Sequence, residues 1–336
     1  MNYEIISKHR TELMGIATAG VLLCHIRECF EIHHVPAPEI VVLLSRLICV
    51  GDLFIMLSGF GLFYSYMKNP DLKSFYRKRL VRTLPAYFIV AVPYWFIVDF
   101  IKAREPFYEF LKDLFFISFF ENGTSIFWYV CATFVFALIF PILWFFLFGN
   151  GFSFIRSTGV KVCLLILIAA AIDTLCIRYI PWYQNILIMT GRLPAFIIGM
   201  YLGYKSYLKE DIPLYVLLLI PGLQVMVHFL YRIPALENFL NCLNIHYLDT
   251  ILCLLFFEIL LIYFTYIDFP VISGFFEWLG HITLEVYLFH MSLLTLFGNP
   301  VNIYLYILVC IIIPIAAGWI LHYLLENRKS ERVLST

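Results

Sequence analysis

Two sets of residues in this chain are placed to do chemistry, a pair of arginines leading into one apolar run and a histidine closing another. Arg79 and Arg82 lie in Phe75-Tyr76-Arg77-Lys78-Arg79-Leu80-Val81-Arg82-Thr83-Leu84-Pro85-Ala86-Tyr87. Three residues apart, they share one face of a helix. Two guanidiniums held at a membrane surface suit a phosphate-bearing ligand, because Arg binds phosphate oxygens in a bidentate fork. Lys68, Lys73, Arg77 and Lys78 are accounted for more simply, as cations collected on the cytoplasmic side of membrane helices. His25 stands eleven residues after Met14 on nearly the same helical face, and Arg27, Glu28 and Glu31 follow it as an exit to water. An imidazole there can take a proton from an alcohol, since its ordinary pKa is near neutral. The bland alternative is an interfacial His bonded to a carbonyl.

Further titratable groups fall inside apolar runs, where a charge is costly and by default a functional candidate. Arg46 and Asp52 precede Leu57-Ser58-Gly59-Phe60-Gly61, Arg192 sits in Gly191-Arg192-Leu193-Pro194-Ala195-Phe196, and Glu258, His281, Glu285 and His290 lie further on. Asp52 is spaced to pair with Arg46 or with a neighbouring helix. His281 and Glu285, four apart, can touch on one helix. Ser58 and Gly59 also read as small residues that let helices approach closely.

The elements that must hold these groups are membrane helices. Of 336 residues, 62% are hydrophobic, 18% aromatic and 14% charged, and the mean hydropathy is +0.88. A soluble domain is nearer half apolar and a quarter charged. The formal net charge of zero gives no case for nucleic-acid binding. The nine cysteines are odd in number and mostly within apolar runs, so neither a disulfide frame nor a metal site is expected. With about 20 apolar residues needed per span, the chain divides into ten: about 11–28, 40–66, 80–100, 127–148, 160–178, 185–204, 212–231, 246–267, 278–297 and 302–325. With the N-terminus cytoplasmic, fifteen of the 23 Lys and Arg fall on inner segments and six on outer ones, leaving Arg46 and Arg192 within spans. The fold class expected is therefore an all-α integral membrane protein of about ten transmembrane helices, with both termini cytoplasmic. Residues 1–336 are expected to form a single membrane domain without a soluble appendage. The longest outer loop, about 101–126, is acidic, basic and aromatic by turns.

Taken together, the motifs resemble one family. Gly51-Asp52-Leu53-Phe54-Ile55-Met56-Leu57-Ser58-Gly59-Phe60 closely resembles the second-span motif of the acyltransferase type 3 family. Phe75 to Tyr87 looks like its Arg-x-x-Arg…Pro-x-Tyr segment, and Phe127-Trp128-Tyr129 with Pro141 like its aromatic fourth span. Arg192 to Phe196 with Gly199 is similar to its short sixth span, and Leu279 to His290 to its late Gly-x-x-Ser-x-x-x-Tyr-x-x-His signature. The matches run in order along nearly the whole chain.

The resemblance implies a multi-pass enzyme of the cell membrane. It would move an acyl group, usually acetyl, from cytoplasmic acyl-CoA to a hydroxyl of a glycan or lipid-linked sugar outside. It implies His25 as the catalytic base and Arg79 and Arg82 as holders of the CoA phosphates. Ser58, Gly59 and Phe60 would line the donor path, with Asp52, Arg46, Arg192, Glu285, His290 and Trp128 in support. No cofactor is bound permanently; acetyl-CoA is a substrate. Two departures stand out: Met14 occupies the position of an Arg, whose role would be absent or moved to Arg46 or Arg192, and Thr283 replaces a Ser. Glu285 or Asp52 is expected to orient His25. The rival readings are an exporter using Asp52, Glu258 and Glu285 as a proton relay, and a non-catalytic scaffold. The exporter reading lacks the internal repeat such proteins often show.

Overall fold

The computed structural model describes residues 1–336 apart from 33, 48–49, 125, 231–232, 234–243, 245, 298–301 and 335–336. The described chain is helical, with one isolated antiparallel bridge between Asn2 and Asp211. A short α1 (Glu4–Lys8) leads into α2 (Arg10–Ile32), α3 (Glu39–Leu47), α4 (Val50–Lys68) and α5 (Leu72–Trp95). Two short helices, α6 (Phe107–Leu114) and α7 (Ile117–Asn122), occupy the loop before α8 (Trp128–Leu147). Then come α9 (Thr158–Tyr179), α10 (Leu187–Thr190), α11 (Leu193–Tyr207), α12 (Leu214–Leu230) and α13 (His246–Tyr266). The chain closes with α14 (Pro270–His281), α15 (Thr283–Phe297), α16 (Ile303–Ile307) and α17 (Ile313–Leu334).

Among the described residues, seven helical segments are long and apolar enough to cross a membrane, and the bent pair α14–α15 makes an eighth. Of the ten expected segments, 40–66 is divided between α3 and α4, and 212–231 holds a helix whose apolar part is the shorter Leu214–Val227. The ninth also differs from expectation: its helix starts at Pro270 and turns by 70° between His281 and Thr283. Spacing arguments that treat 278–297 as one rod fail across that turn.

The basic stretch lies within α5 rather than before it. Asp71 caps that helix by accepting a hydrogen bond from the Ser74 backbone N–H at 2.7 Å, satisfying one of the free donors of a helix start. The helix then runs through Arg79 and Arg82 without a break. Pro85 and Pro93 lie inside it, and it loosens into π-helical turns over Phe96–Ala103. Pro93 withholds an N–H from the ladder, and wider turns restore pairing beyond it.

The core is built on α11 packed along α4, with α14 packed along α2. Backbones come very close at Gly59, where an added methyl would run into the carbonyl of Phe196, and at Gly199, where it would meet that of Met56. Packing of this kind is how membrane helices associate when lipid is as apolar as their side chains. Gly199→Ala should therefore force the pair apart at a cost of about 1–3 kcal/mol, lowering the midpoint of thermal unfolding in detergent with no specific loss of ligand affinity.

Candidate active site

One cavity of about 570 Å³ opens among α2, α4, α5, α8, the α14–α15 turn and α17. Arg10, Arg79 and Arg82 all line it, with Ser58 on α4 and Glu285 and His322 opposite. The Arg79 guanidinium lies 5.8 Å from the ring centre of Phe75, which is itself fully buried. Arg10 extends toward the Leu57 carbonyl at 3.4 Å. Among the described residues, no carboxylate lies within ion-pair distance of any of the three arginines. Nε of Arg10 and of Arg79 is buried without a hydrogen-bond partner. Three guanidiniums therefore share one space, whose lining also includes the carboxylates of Glu285 and Glu326.

Arg10 was not singled out in the sequence, where it reads as one more inner-face cation. It lies one helical turn before Met14, and both line the cavity. The two replacements considered for the Arg missing at Met14 do not enter it. The side chain of Arg46 lies outside the described residues. Arg192 turns instead to Asp52, Nε to Oδ2 at 3.5 Å. Asp52 is buried and also accepts from the Thr250 hydroxyl at 2.6 Å, while Arg192 stacks 4.7 Å over Trp128 and donates to the Ile188 carbonyl. Asp52, Arg192 and the half-buried Trp128 thus lie together, and none of them lines the cavity.

Of the residues expected on the donor path, Ser58 lines the cavity, whereas Gly59 faces the Phe196 backbone and Phe60 is buried with its ring 5.1 Å from that of Tyr64. Glu285 meets His322 at 3.2 Å. Its expected partner His281 ends α14, and the bend removes the one-turn relation that made them neighbours.

His25 lies elsewhere, fifteen residues beyond Arg10 on α2, or about 22 Å at the rise of an α-helix. Its Nδ1 is 2.8 Å from the Glu28 carboxylate. An ionised carboxylate only accepts, so Nδ1 is the donor in this contact. Glu28, rather than Glu285 or Asp52, is the acid that touches His25. It was legible as an i,i+3 neighbour but had been read only as an exit to water. The His25 backbone carbonyl is fixed by the Tyr306 hydroxyl at 2.9 Å. The fully buried His290 stands with its ring centre 5.0 Å from that of His25, and its own Nδ1 donates to the Cys310 carbonyl.

Between the two ends, on the same face of α2, Thr18 is buried and donates to the Met14 carbonyl at 2.9 Å while contacting the Thr283 hydroxyl at 3.0 Å. Thr283 lines the far wall of the cavity.

The arrangement can seat a polyanion at one end of α2 and remove a proton from an alcohol at the other. A family profile described as an acyltransferase domain matches residues 13–323, nearly the whole chain. No curated protein and no solved structure matches the chain. The profile runs from Leu13 in α2 to Tyr323, midway along α17, and takes in Arg79, Arg82 and His25 but not Arg10: the chain belongs to the acyltransferase type 3 family and is a multi-pass membrane acyltransferase.

Proposed function

We propose that this acyltransferase takes an acyl group, acetyl foremost, from cytoplasmic acyl-CoA and places it on a hydroxyl of an extracytoplasmic glycan or lipid-linked sugar. The observation that carries this reading is the grouping of Arg10, Arg79 and Arg82 around one cavity, at the opposite end of α2 from a His25 whose Nδ1 meets the Glu28 carboxylate. CoA is a polyphosphate at one end and a thioester at the other, so it presents a different chemistry to each of the two sites. The chain would lie in the cell membrane as one domain of ten spans, α4 and α12 completing the count, with both termini and the arginines on the inner side.

In this mechanism the three guanidiniums hold the CoA phosphates. The pantetheine arm extends along α2 past Met14 and parts the Thr18–Thr283 hydroxyl pair. His25 Nε2 then accepts the proton of the acceptor hydroxyl as its oxygen attacks the thioester carbonyl. The C–S bond breaks, the acyl group becomes an ester, and CoA leaves as the thiol after taking a proton. The positive charge that develops on the His25 ring is stabilised by Glu28 through Nδ1. The acceptor can reach this point because His25 and Glu28 are partly exposed, with side chains 21% and 51% accessible.

The proton-relay reading loses support from the pairings observed. Asp52 is engaged by Arg192 and Glu285 by His322, so neither is a free carboxylate on a shared path. Replacing Glu28 with Gln tests the proposed positioning. Turnover should fall at least tenfold, a part of the roughly 10²–10⁴ that a positioned base contributes, while KM for acetyl-CoA stays unchanged. A fall in KM-dependent terms alone would place Glu28 in donor binding instead.

A further inference from the structure

A second cavity, of about 510 Å³, lies at the far end of α5 and shares no lining residue with the arginine-lined one. Asp99 in the π-helical turns, Glu105 after them and Asp113 on α6 each point a carboxylate oxygen to a common point, all within 4.8 Å of one another. Asp99 is about seventeen residues beyond Arg82 on a continuous helical path, or roughly 25 Å, so the cluster faces the opposite side of the membrane from the arginines.

Three carboxylates this close repel one another and need compensation. Among the described residues no Lys, Arg or His lies within ion-pair distance of Asp99, Glu105 or Asp113. The nearby Lys112 is committed to Glu109 and Glu121 at 3.4 and 2.9 Å, and Lys102 donates to the Leu296 carbonyl.

Asp99 supplies a separate observation. It is 2% exposed, its Oδ2 is buried with no hydrogen-bond partner, and it lines the cavity. A buried carboxylate oxygen left without a donor is costly, and a cation in the cavity would remove that cost. The surroundings are oxygen donors: Ser118, Asn122 and Thr124 also line the space, without His or Cys. Such a set selects a hard cation over zinc. Ca²⁺ takes six to eight oxygens and readily draws several of them from protein, whereas Mg²⁺ keeps much of its water and takes only one or two carboxylates.

We infer that Asp99, Glu105 and Asp113 form a Ca²⁺ site that ties the α6–α7 loop to the end of α5. The site is independent of the acyl-transfer reading. It was hidden in the sequence because its ligands come from three separate elements rather than one spaced motif.

The test uses the full chain in detergent, stripped with a chelator and then titrated with CaCl₂ or MgCl₂ while thermal unfolding is followed. Millimolar Ca²⁺ should raise the unfolding midpoint by several degrees and Mg²⁺ much less. In Asp99→Asn the response should vanish, while the metal-free variant is at least as stable as the metal-free wild type because a repulsive charge is gone. That sign separates lost ligation from a failure to fold. Asp113→Asn should behave the same way. An unchanged wild-type midpoint with Ca²⁺, an equal response to Mg²⁺, or a full Ca²⁺ response in Asp99→Asn would each overturn the assignment.

Discussion

Replacing His25 with Ala is expected to remove acetyl transfer while leaving acetyl-CoA binding intact. The base is proposed to act about 16 Å along α2 from Met14 at the cavity wall, so its loss leaves the arginine seat untouched. A positioned general base contributes roughly 10²–10⁴ in rate, and the fall in turnover should lie in that range. His25 is partly exposed and its Nδ1 bond is to a residue on its own helix, so truncation opens no cavity and the variant should fold. Binding of acetyl-CoA by calorimetry, beside turnover in membranes, separates the two effects. Retained turnover in a folded protein would make His25 an interfacial residue.

The second large effect is expected at the arginines. A hydrogen bond to a charged group contributes about 1.5–3 kcal/mol, and each 1.4 kcal/mol is tenfold in affinity. Replacing Arg79 and Arg82 together with Ala should weaken acetyl-CoA binding by roughly 100-fold or more. Arg10→Ala alone should cost about tenfold or more by the same arithmetic, although Arg10 belongs to none of the basic-stretch positions. Arg79→Lys should recover only part of the loss, because an ammonium cannot make the two-pronged contact. Affinity unchanged in all three variants would return these residues to topology markers. Arg77 and Lys78, which are exposed and do not line the cavity, serve as controls.

What was legible in the sequence follows from how many elements each feature needs. Arg79 and Arg82 share one face of one helix, so spacing alone brings them together, and α5 keeps them so. The helical, membrane-spanning character follows from composition. The ninth segment was misjudged because its break at Ile282 carries no proline; the turn comes from α14 being held along α2 while α15 packs on α17. That same turn gave Glu285 to His322, thirty-seven residues away, a pairing no local pattern could announce. Arg10 was overlooked because a cation just before an apolar run is ordinarily a topology marker; only the fold shows that Met14 lines the same space. Gly59 could be read either as a donor contact or as a packing position, and it packs against α11, where the backbones leave no room for a side chain.

The central claim is that the donor enters at the arginine end of α2 and the acyl group leaves at the His25 end. The most direct measurement is transfer from radiolabelled acetyl-CoA in proteoliposomes of known orientation, with a glycan acceptor confined to one side. The account requires label on the acceptor when acetyl-CoA is supplied at the Arg79–Arg82 face and the acceptor at the His25 face, with free CoA released on the donor side. Label transferred only when acetyl-CoA is offered at the His25 face would contradict it.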